Sequence, residues 1–369
     1  MTRRYWLLPW FVLATAPVRA DYQLNLPAPK SIVAREIYDL HSLILLVCVA
    51  IFVMVFGAMF YALLKHRKSK GHAAEHFHEN TAVEIIWTLI PFAILVGMAW
   101  PATKLVIAQK NTTDPDLTIK VIGYQWKWSY EYLGEGVKFI STLSTSQDQL
   151  DGKAEKGEHY LREVDEPLVV PVGKKVRILI TSADVIHSWW VSELGVKQDA
   201  IPGFIRDTWF KAEQVGTYRG QCAELCGRGH AYMPIVVEVK SEADYAAWLN
   251  DRKQKLAAGS ADLGKTFSKA ELMARGEKVY GANCVVCHGP EGKGIPGAFP
   301  ALDGSKVATG PVKDHLHRVM NGKEGTAMAA FGKQLSAADI AAVVTFERNS
   351  WGNKTGDVVQ PAAVVAVEK

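Results

Sequence analysis

Three patterns of hydrophobic and polar positions follow one another along the chain. Residues 1–20 (MTRRYWLLPWFVLATAPVRA) join a basic start to a short apolar middle and close on Val18-Arg19-Ala20, the form of a secretory signal peptide cut before Asp21. Leu40 to Leu64 is then nearly free of charge, and a helix of that length at 1.5 Å per residue exceeds a hydrocarbon core of roughly 30 Å. A second apolar run, Ile85 to Ala108, contains Pro91 and Pro101, where a kink is expected. Lys65, Arg67, Lys68 and Lys70 directly follow the first run and place the connecting loop in the cytoplasm, so both ends of the hairpin face the outside, in agreement with the leader.

From about Thr118 to Lys240 the period becomes that of strands: Leu168 to Val172, Val176 to Thr181 and Ile235 to Val239 are β-branched runs bounded by Gly, Pro or Ser. A β-sandwich fits. A charged, Ala-rich stretch over 241–265 reads as a short helix or linker. Helices are expected at Ser268–Gly281, Val312–Met320 and Ser336–Glu347, with a loose tail over 351–369. The expected organisation is a leader (1–20), a membrane hairpin (21–108, helices at about 40–64 and 85–108), an all-β domain (109–240), the linker (241–265), an all-α domain (266–350) and the tail.

Averages over the 369 residues, 49% hydrophobic and 22% charged, hide this segregation. It excludes a wholly cytosolic protein, a disordered chain and a many-span transporter. The formal charge of +4 falls to +1 without Arg3, Arg4 and Arg19 of the leader, which leaves no basic footprint for nucleic acid.

Four of the five cysteines form two tight pairs, each followed by histidine. In QCAELCGRGHAYMP, Cys222, Cys226, His230 and Met233 follow a C-x3-C-x3-H-x2-M spacing, and His187 lies upstream just after a strand. Thiolate, imidazole and thioether together favour copper over oxygen-loving metals. One cysteine, two histidines and a methionine would make a blue-copper site; the second thiolate can bridge a second copper. A structural Cys2His2 zinc site uses the same residues but leaves Met233 without a role, and a Cys222–Cys226 disulfide leaves both histidines idle.

The second pair stands in CVVCH (284–288), the c-type haem signature, in which Cys284 and Cys287 add to the vinyl groups and His288 binds iron. For the sixth ligand Met320 and Met328 compete. Met320 falls on an apolar helix face; Met328 lies in NGKEGTAMAAFG, a Gly-punctuated loop able to fold over the iron, and is preferred. Glu84, at the cytoplasmic mouth of the second helix, suits either a functional ionisable group or a headgroup-level carboxylate favoured by the helix dipole.

The copper loop, HSWW (187–190), DAIPG (199–203), VEIIWTLIP (83–91) and YQWKWSYEY (124–132) together resemble cytochrome c oxidase subunit II, over residues 35–240 in the expected order. The segment Arg275 to Asn353, with its closing ERNSWGN, is similar to cytochrome c modules fused to that subunit in caa-type oxidases. The resemblance implies a multidomain membrane protein: a two-helix transmembrane hairpin, an all-β cupredoxin sandwich and an all-α class I-like cytochrome c domain.

It further implies a dinuclear CuA centre on His187, Cys222, Cys226, His230 and Met233, with the backbone carbonyl of Glu224 as a further ligand. The Glu224 carboxylate would meet a magnesium ion at the contact with subunit I. Trp126 would be the surface residue that receives the electron, Asp184 a docking carboxylate for cytochrome c, Glu84 the mouth of a proton pathway, and Pro300 the carbonyl partner of the His288 ring. The sequence departs from the family at Lys127, where an aromatic is usual, at Tyr124 in place of histidine, at Ala183 in place of an acid, and at Ala329, where proline usually follows the methionine.

Tyr124, Trp126, Trp128, Tyr130 and Tyr132 alternate and are expected to share one face of a strand. His72, His76 and His78 read as part of a polar loop; His315 and His317 face opposite ways on a helix or sit in solvent; His41, His66 and His159 lack companion ligands. The expected function is subunit II of a respiratory haem-copper oxidase of the bacterial inner membrane, with subunit I, subunit III and a cytochrome c or other periplasmic donor as partners. A CuA-containing nitric oxide reductase subunit and a membrane-tethered copper-handling protein are the alternatives.

Overall fold

Both apolar runs lie inside longer helices, α1 (Ile32–Lys65) and α2 (Thr81–Lys110), in a computed structural model that describes residues 25–71, 78–261, 264–323, 326, 328–332 and 334–368. The leader expected over 1–20 and the loop residues His72 and His76 lie outside the described residues. α1 starts well before Leu40 because its first turn belongs to the extramembrane domain. Ser31 caps the helix by accepting from the Ala34 N–H and donates its hydroxyl to Leu194 O at 2.7 Å, while Val33 and Ala34 are buried. Arg35, Glu36 and Asp39 interrupt the apolar run in that part of the helix, so hydropathy alone does not see its start. α2 passes through both prolines as one helix. Each proline removes one ladder donor, and an apolar surrounding offers no water to compete for the rest. Its far end is also tied down: Trp209 Nε1 donates to Ala108 O at 3.1 Å and Thr112 to Asp207 at 2.6 Å.

The sandwich has two five-stranded sheets. Its strands are β1 (Leu117–Tyr124), β2 (Lys127–Tyr132), β3 (Val137–Ser141), β4 (Leu168–Pro171), β5 (Val176–Ser182), β6 (His187–Val191), β7 (Val196–Ala200), β8 (Arg206–Phe210), β9 (Gly216–Cys222) and β10 (Pro234–Lys240), with a short helix α3 (Gln147–Leu150) in the β3–β4 crossing. One sheet runs β3-β2-β1-β5-β8 and the other β4-β10-β9-β6-β7, antiparallel except for β1–β5 and β4–β10. Strict alternation of burial along β1 and β5 sends Ile119, Val121, Ile178 and Ile180 into a core shared with Trp128, Tyr130, Trp189, Phe210 and Ile235. The aromatic run is not one strand: Tyr124 ends β1 and pairs with Lys127 across a two-residue turn at Gln125-Trp126. Trp128, Tyr130 and Tyr132 enter the core as expected, but Tyr124 sits on the neighbouring strand.

The stretch expected as helix or linker is α4 (Glu242–Ala261), whose Trp248 packs on Tyr132 at 5.3 Å and whose Arg252 lies 4.8 Å over Phe139. The last domain contains α5 (Lys269–Asn283), α6 (Val285–His288), α7 (Lys306–Thr309), α8 (Val312–Asn321), α9 (Ala337–Asn349) and α10 (Pro361–Glu368). Leu272, Tyr280, Leu316, Val319, Met320, Ile340 and Val344 form its core. The tail expected to be loose is folded. Val359 and Val364 are buried, Thr345 Oγ1 accepts from Val359 N at 3.0 Å, and buried Arg348 donates to Ala308 O, Gly310 O and Asp357. Apolar residues on α9 that an isolated helix would expose supply the reason.

Candidate functional site

β6 and β9 are antiparallel neighbours, with Trp189 opposite Cys222, and this pairing sets His187 beside the cysteine loop that leaves β9. Cys222 Sγ and Cys226 Sγ stand 3.8 Å apart, two separate sulfurs rather than a disulfide. His187 Nδ1 lies 4.0 Å from Cys222 Sγ; His230 Nδ1 and Met233 Sδ each lie 3.5 Å from Cys226 Sγ; the Glu224 carbonyl is 3.3 Å from Cys222 Sγ. All five side chains predicted as ligands are thus brought together, with the one predicted backbone carbonyl. His187, Cys222, Cys226 and Met233 are buried, whereas the Glu224 side chain is exposed, so its carbonyl and carboxylate face different surroundings.

The donor set fits copper: two soft sulfurs in the middle, with an imidazole on either side and a thioether. Two further features prepare it. His187 Nε2 donates to Asp184 Oδ1 at 2.8 Å, which fixes the tautomer and leaves Nδ1 free toward the sulfurs. The thiol of Cys226, donating to Cys222, holds the Cys222 thiol far below its ordinary range and raises its own, so the pair loses one proton easily. β1 must come close to let His187 in. A Cβ on Gly123 would lie 2.8 Å from the His187 ring.

Asp184, expected as a docking carboxylate, is exposed and also makes contacts within the domain. Beyond His187, it accepts from Gln125 N at 2.7 Å and Val185 N at 2.7 Å, so both oxygens are engaged inside the domain. Burial raises its pKa, but the hydrogen bonds from His187, Gln125 and Val185 outweigh that and leave it below the usual carboxylate range. Its contact with His187 orients that ring.

Trp126 departs from expectation: it is not at the surface but only 8% exposed. One face lies against the copper loop, where a Cβ on Gly229 would sit 2.3 Å from the ring, and its indole N–H donates to Cys226 O at 3.2 Å. Phe299 of the helical domain meets it edge-on at 6.4 Å between centroids.

In that helical domain α5 delivers Cys284, and the single turn α6 carries Cys287 and His288 to the same side. Burial pushes both thiols up, so they stay protonated, unlike Cys222; that suits addition to vinyl groups rather than metal binding as thiolates. His288 is buried and its Nδ1 is 2.9 Å from Pro300 O, which leaves Nε2 for iron. Met320 is buried on α8; Met328 is half-buried in the following loop, whose residues 324, 325 and 327 lie outside the described residues. Both pack in the core that also contains Cys284. Met328→Leu is expected to lower the haem potential and alter the reduced spectrum, with Met320→Leu leaving both unchanged; the opposite result in a redox titration would assign the ligand to Met320.

Two groups were missed in the sequence. His315 is neither solvated nor idle: it is buried, and its Nε2 lies 2.8 Å from Glu347 of α9, itself buried. The partner is 32 residues away on another helix, beyond any local pattern. Lys127 is also buried, in the seam between the two domains. Asn80 caps α2 through its side chain, and Glu84 in the first turn accepts from the Asn80 N–H at 3.3 Å.

The sequence matches "Cytochrome C oxidase subunit II, periplasmic domain" over residues 117–240 and "Cytochrome C oxidase subunit II, transmembrane domain" over 19–105. Residues 271–346 match "Cytochrome C oxidase, cbb3-type, subunit III". The chain is 39% identical over 234 residues to cytochrome c oxidase subunit 2 of Cereibacter sphaeroides, covering 60% of this chain and 77% of that one. It is 36% identical over 250 residues to the probable cytochrome c oxidase subunit 2 of Rickettsia bellii, covering 68% and 90%. The crystal structure of the periplasmic domain of subunit II of the cytochrome oxidase of Bradyrhizobium japonicum is 43% identical, covering 39% of this chain and 98% of that one at a TM-score of 0.35.

Proposed function

The chain belongs to the cytochrome c oxidase subunit II family, with a fused cytochrome c-type domain, and from that premise we propose that it carries electrons from a periplasmic donor to subunit I through its own haem c and a dinuclear CuA centre. When bound, the two groups supply one-electron carriage without change of ligands; oxygen reduction and proton translocation are the work of subunit I. The observation that carries the reading is the convergence of two sulfurs, two imidazoles and a thioether in one buried loop, with His187 already oriented by Asp184. Burial of four of these side chains also argues against a copper-handling protein, which needs exposed, exchangeable ligands.

The chain's own groups have distinct tasks in this scheme. His187, Cys222, Cys226, His230, Met233 and the Glu224 carbonyl hold copper; Cys284, Cys287, His288 and Met328 hold haem c. Pro300 O keeps the proton on His288 Nδ1. Trp126 and Phe299 fill the space between the two sites with contiguous aromatic matter that excludes water. The Glu224 carboxylate, facing out from the copper loop, meets magnesium at the subunit I contact. Apolar side chains left uncovered nearby support a contact there: Leu225 in the copper loop, Val185 and Ile186 before His187, and Phe204 and Ile205, which follow the Ser182–Pro202 bridge. Glu84 stands at the cytoplasmic mouth of a proton pathway. Subunit III and a bacterial inner-membrane setting complete the proposal.

Affinity purification from membranes tests it. A haem-copper subunit I should accompany the chain, the preparation should consume oxygen with reduced cytochrome c, and oxidised CuA should give a seven-line mixed-valence EPR pattern. Zinc in the site, or a single blue-copper signal, would overturn the dinuclear assignment.

A further inference from the structure

Lys127 is the first residue of β2, directly after Trp126, and it is only 4% exposed. A lysine is seldom so buried without partners, because stripping an ammonium of water is unfavourable unless other groups replace it. Its partners come from across the seam. Nζ lies 4.1 Å from the centroid of the Phe331 ring and 3.4 Å from Asn283 Oδ1. Phe331 belongs to the core of the helical domain, and Phe331 N donates to Val319 O at 3.0 Å. Asn283 ends α5 directly before Cys284; its side-chain Nδ2 donates to Val279 O at 3.1 Å, which turns the amide oxygen toward the lysine.

We propose that Lys127 is a positioning residue that seats the cytochrome domain on the Trp126 face and, as a fixed positive charge beside the haem-attachment cysteines, raises the potential of the bound haem. The inference rests on the functional reading above and adds to it the group that sets how the two sites meet. A face-on cation–aromatic contact and a charged hydrogen bond are directional, so together they select one docking of the two surfaces. Ferric haem carries one more positive charge than ferrous haem, and a neighbouring ammonium in a poorly solvated seam therefore favours the ferrous state. Burial pushes the Lys127 amine down to about 8, against the opposing pull of the Asp184 carboxylate, so it carries its proton at pH 6.5.

The test is an equilibrium redox titration of haem c at pH 6.5 in the full chain, purified with copper and haem, as wild type, Lys127→Met and Lys127→Arg. Methionine keeps the length and loses the charge. It should shift the ferrous-to-ferric ratio at fixed ambient potential by about tenfold toward ferric, or about 59 mV for a one-electron couple. Arginine should restore most of the wild-type value. Amide exchange along residues 126–132 should quicken in the methionine variant and stay slow in the arginine variant. Lys127→Gln replaces the methionine variant if that does not accumulate. An unchanged haem potential in the neutral variant, or equal shifts in the neutral and arginine variants, overturns the proposal. The copper EPR signal, read on the same samples, is independent: its absence from wild type would sink the functional reading and leave the haem comparison standing.

Discussion

Cys226→Ser is expected to abolish electron delivery while leaving the haem in place. Its sulfur is the hub of the copper loop, 3.8 Å from Cys222 Sγ and 3.5 Å from both His230 Nδ1 and Met233 Sδ. A serine oxygen is a hard donor that stays protonated near neutral pH, so it can neither bridge two coppers nor hold one as a soft ligand. Changing groups that merely orient a ligand costs about 10–100-fold, and loss of a central ligand should exceed about 100-fold in cytochrome c-supported oxygen consumption. Copper should fall below two per chain and the seven-line EPR pattern should vanish. Haem c, attached in the other domain, should remain reducible by dithionite and serves as the internal control for folding. Retention of two coppers with a normal EPR pattern would show that Cys226 is not a bridging ligand.

Replacing both Cys284 and Cys287 with alanine should remove the covalent haem and unfold much of the domain built around it. The helical domain is small, and a domain of that size has little core to spare; the porphyrin contributes a large apolar body that Met320, Met328 and Leu316 alone do not replace. Haem staining on a denaturing gel should disappear, and limited proteolysis should cut between 266 and 350 while sparing 117–240. The copper EPR signal should persist, because the sandwich has its own core of Ile119, Trp128, Ile178, Trp189 and Phe210. A protease-resistant helical domain without haem would mean that its helices are self-sufficient. Together the two substitutions separate the centres: each should remove one and leave the other measurable.

Those expectations draw on motifs that are short in sequence. Cys222 to Met233 and Cys284 to His288 are legible because all but one ligand of each kind lie within a loop or a turn, where spacing alone brings donor atoms together. The membrane hairpin is legible for a similar reason, since a lipid-facing helix needs an unbroken apolar run whatever its neighbours. Burial alternation likewise announces β1 and β5. The turn at Gln125-Trp126 was not legible, because an alternating aromatic pattern reads the same whether the chain continues or folds back.

The amino-acid sequence by itself determined the membrane hairpin, the sandwich, the helical domain and the chemical identity of the two sets of ligands, since each depends on local period or local spacing. Only the tertiary structure decided that Trp126 is covered by Phe299, that Asp184 orients His187, that His315 pairs with Glu347, that the tail packs on α9 and that Lys127 reaches across a seam. Most of these join residues tens to more than a hundred positions apart. Such contacts are set by which apolar faces must be buried against each other, and a buried polar group then takes whatever partner that packing brings.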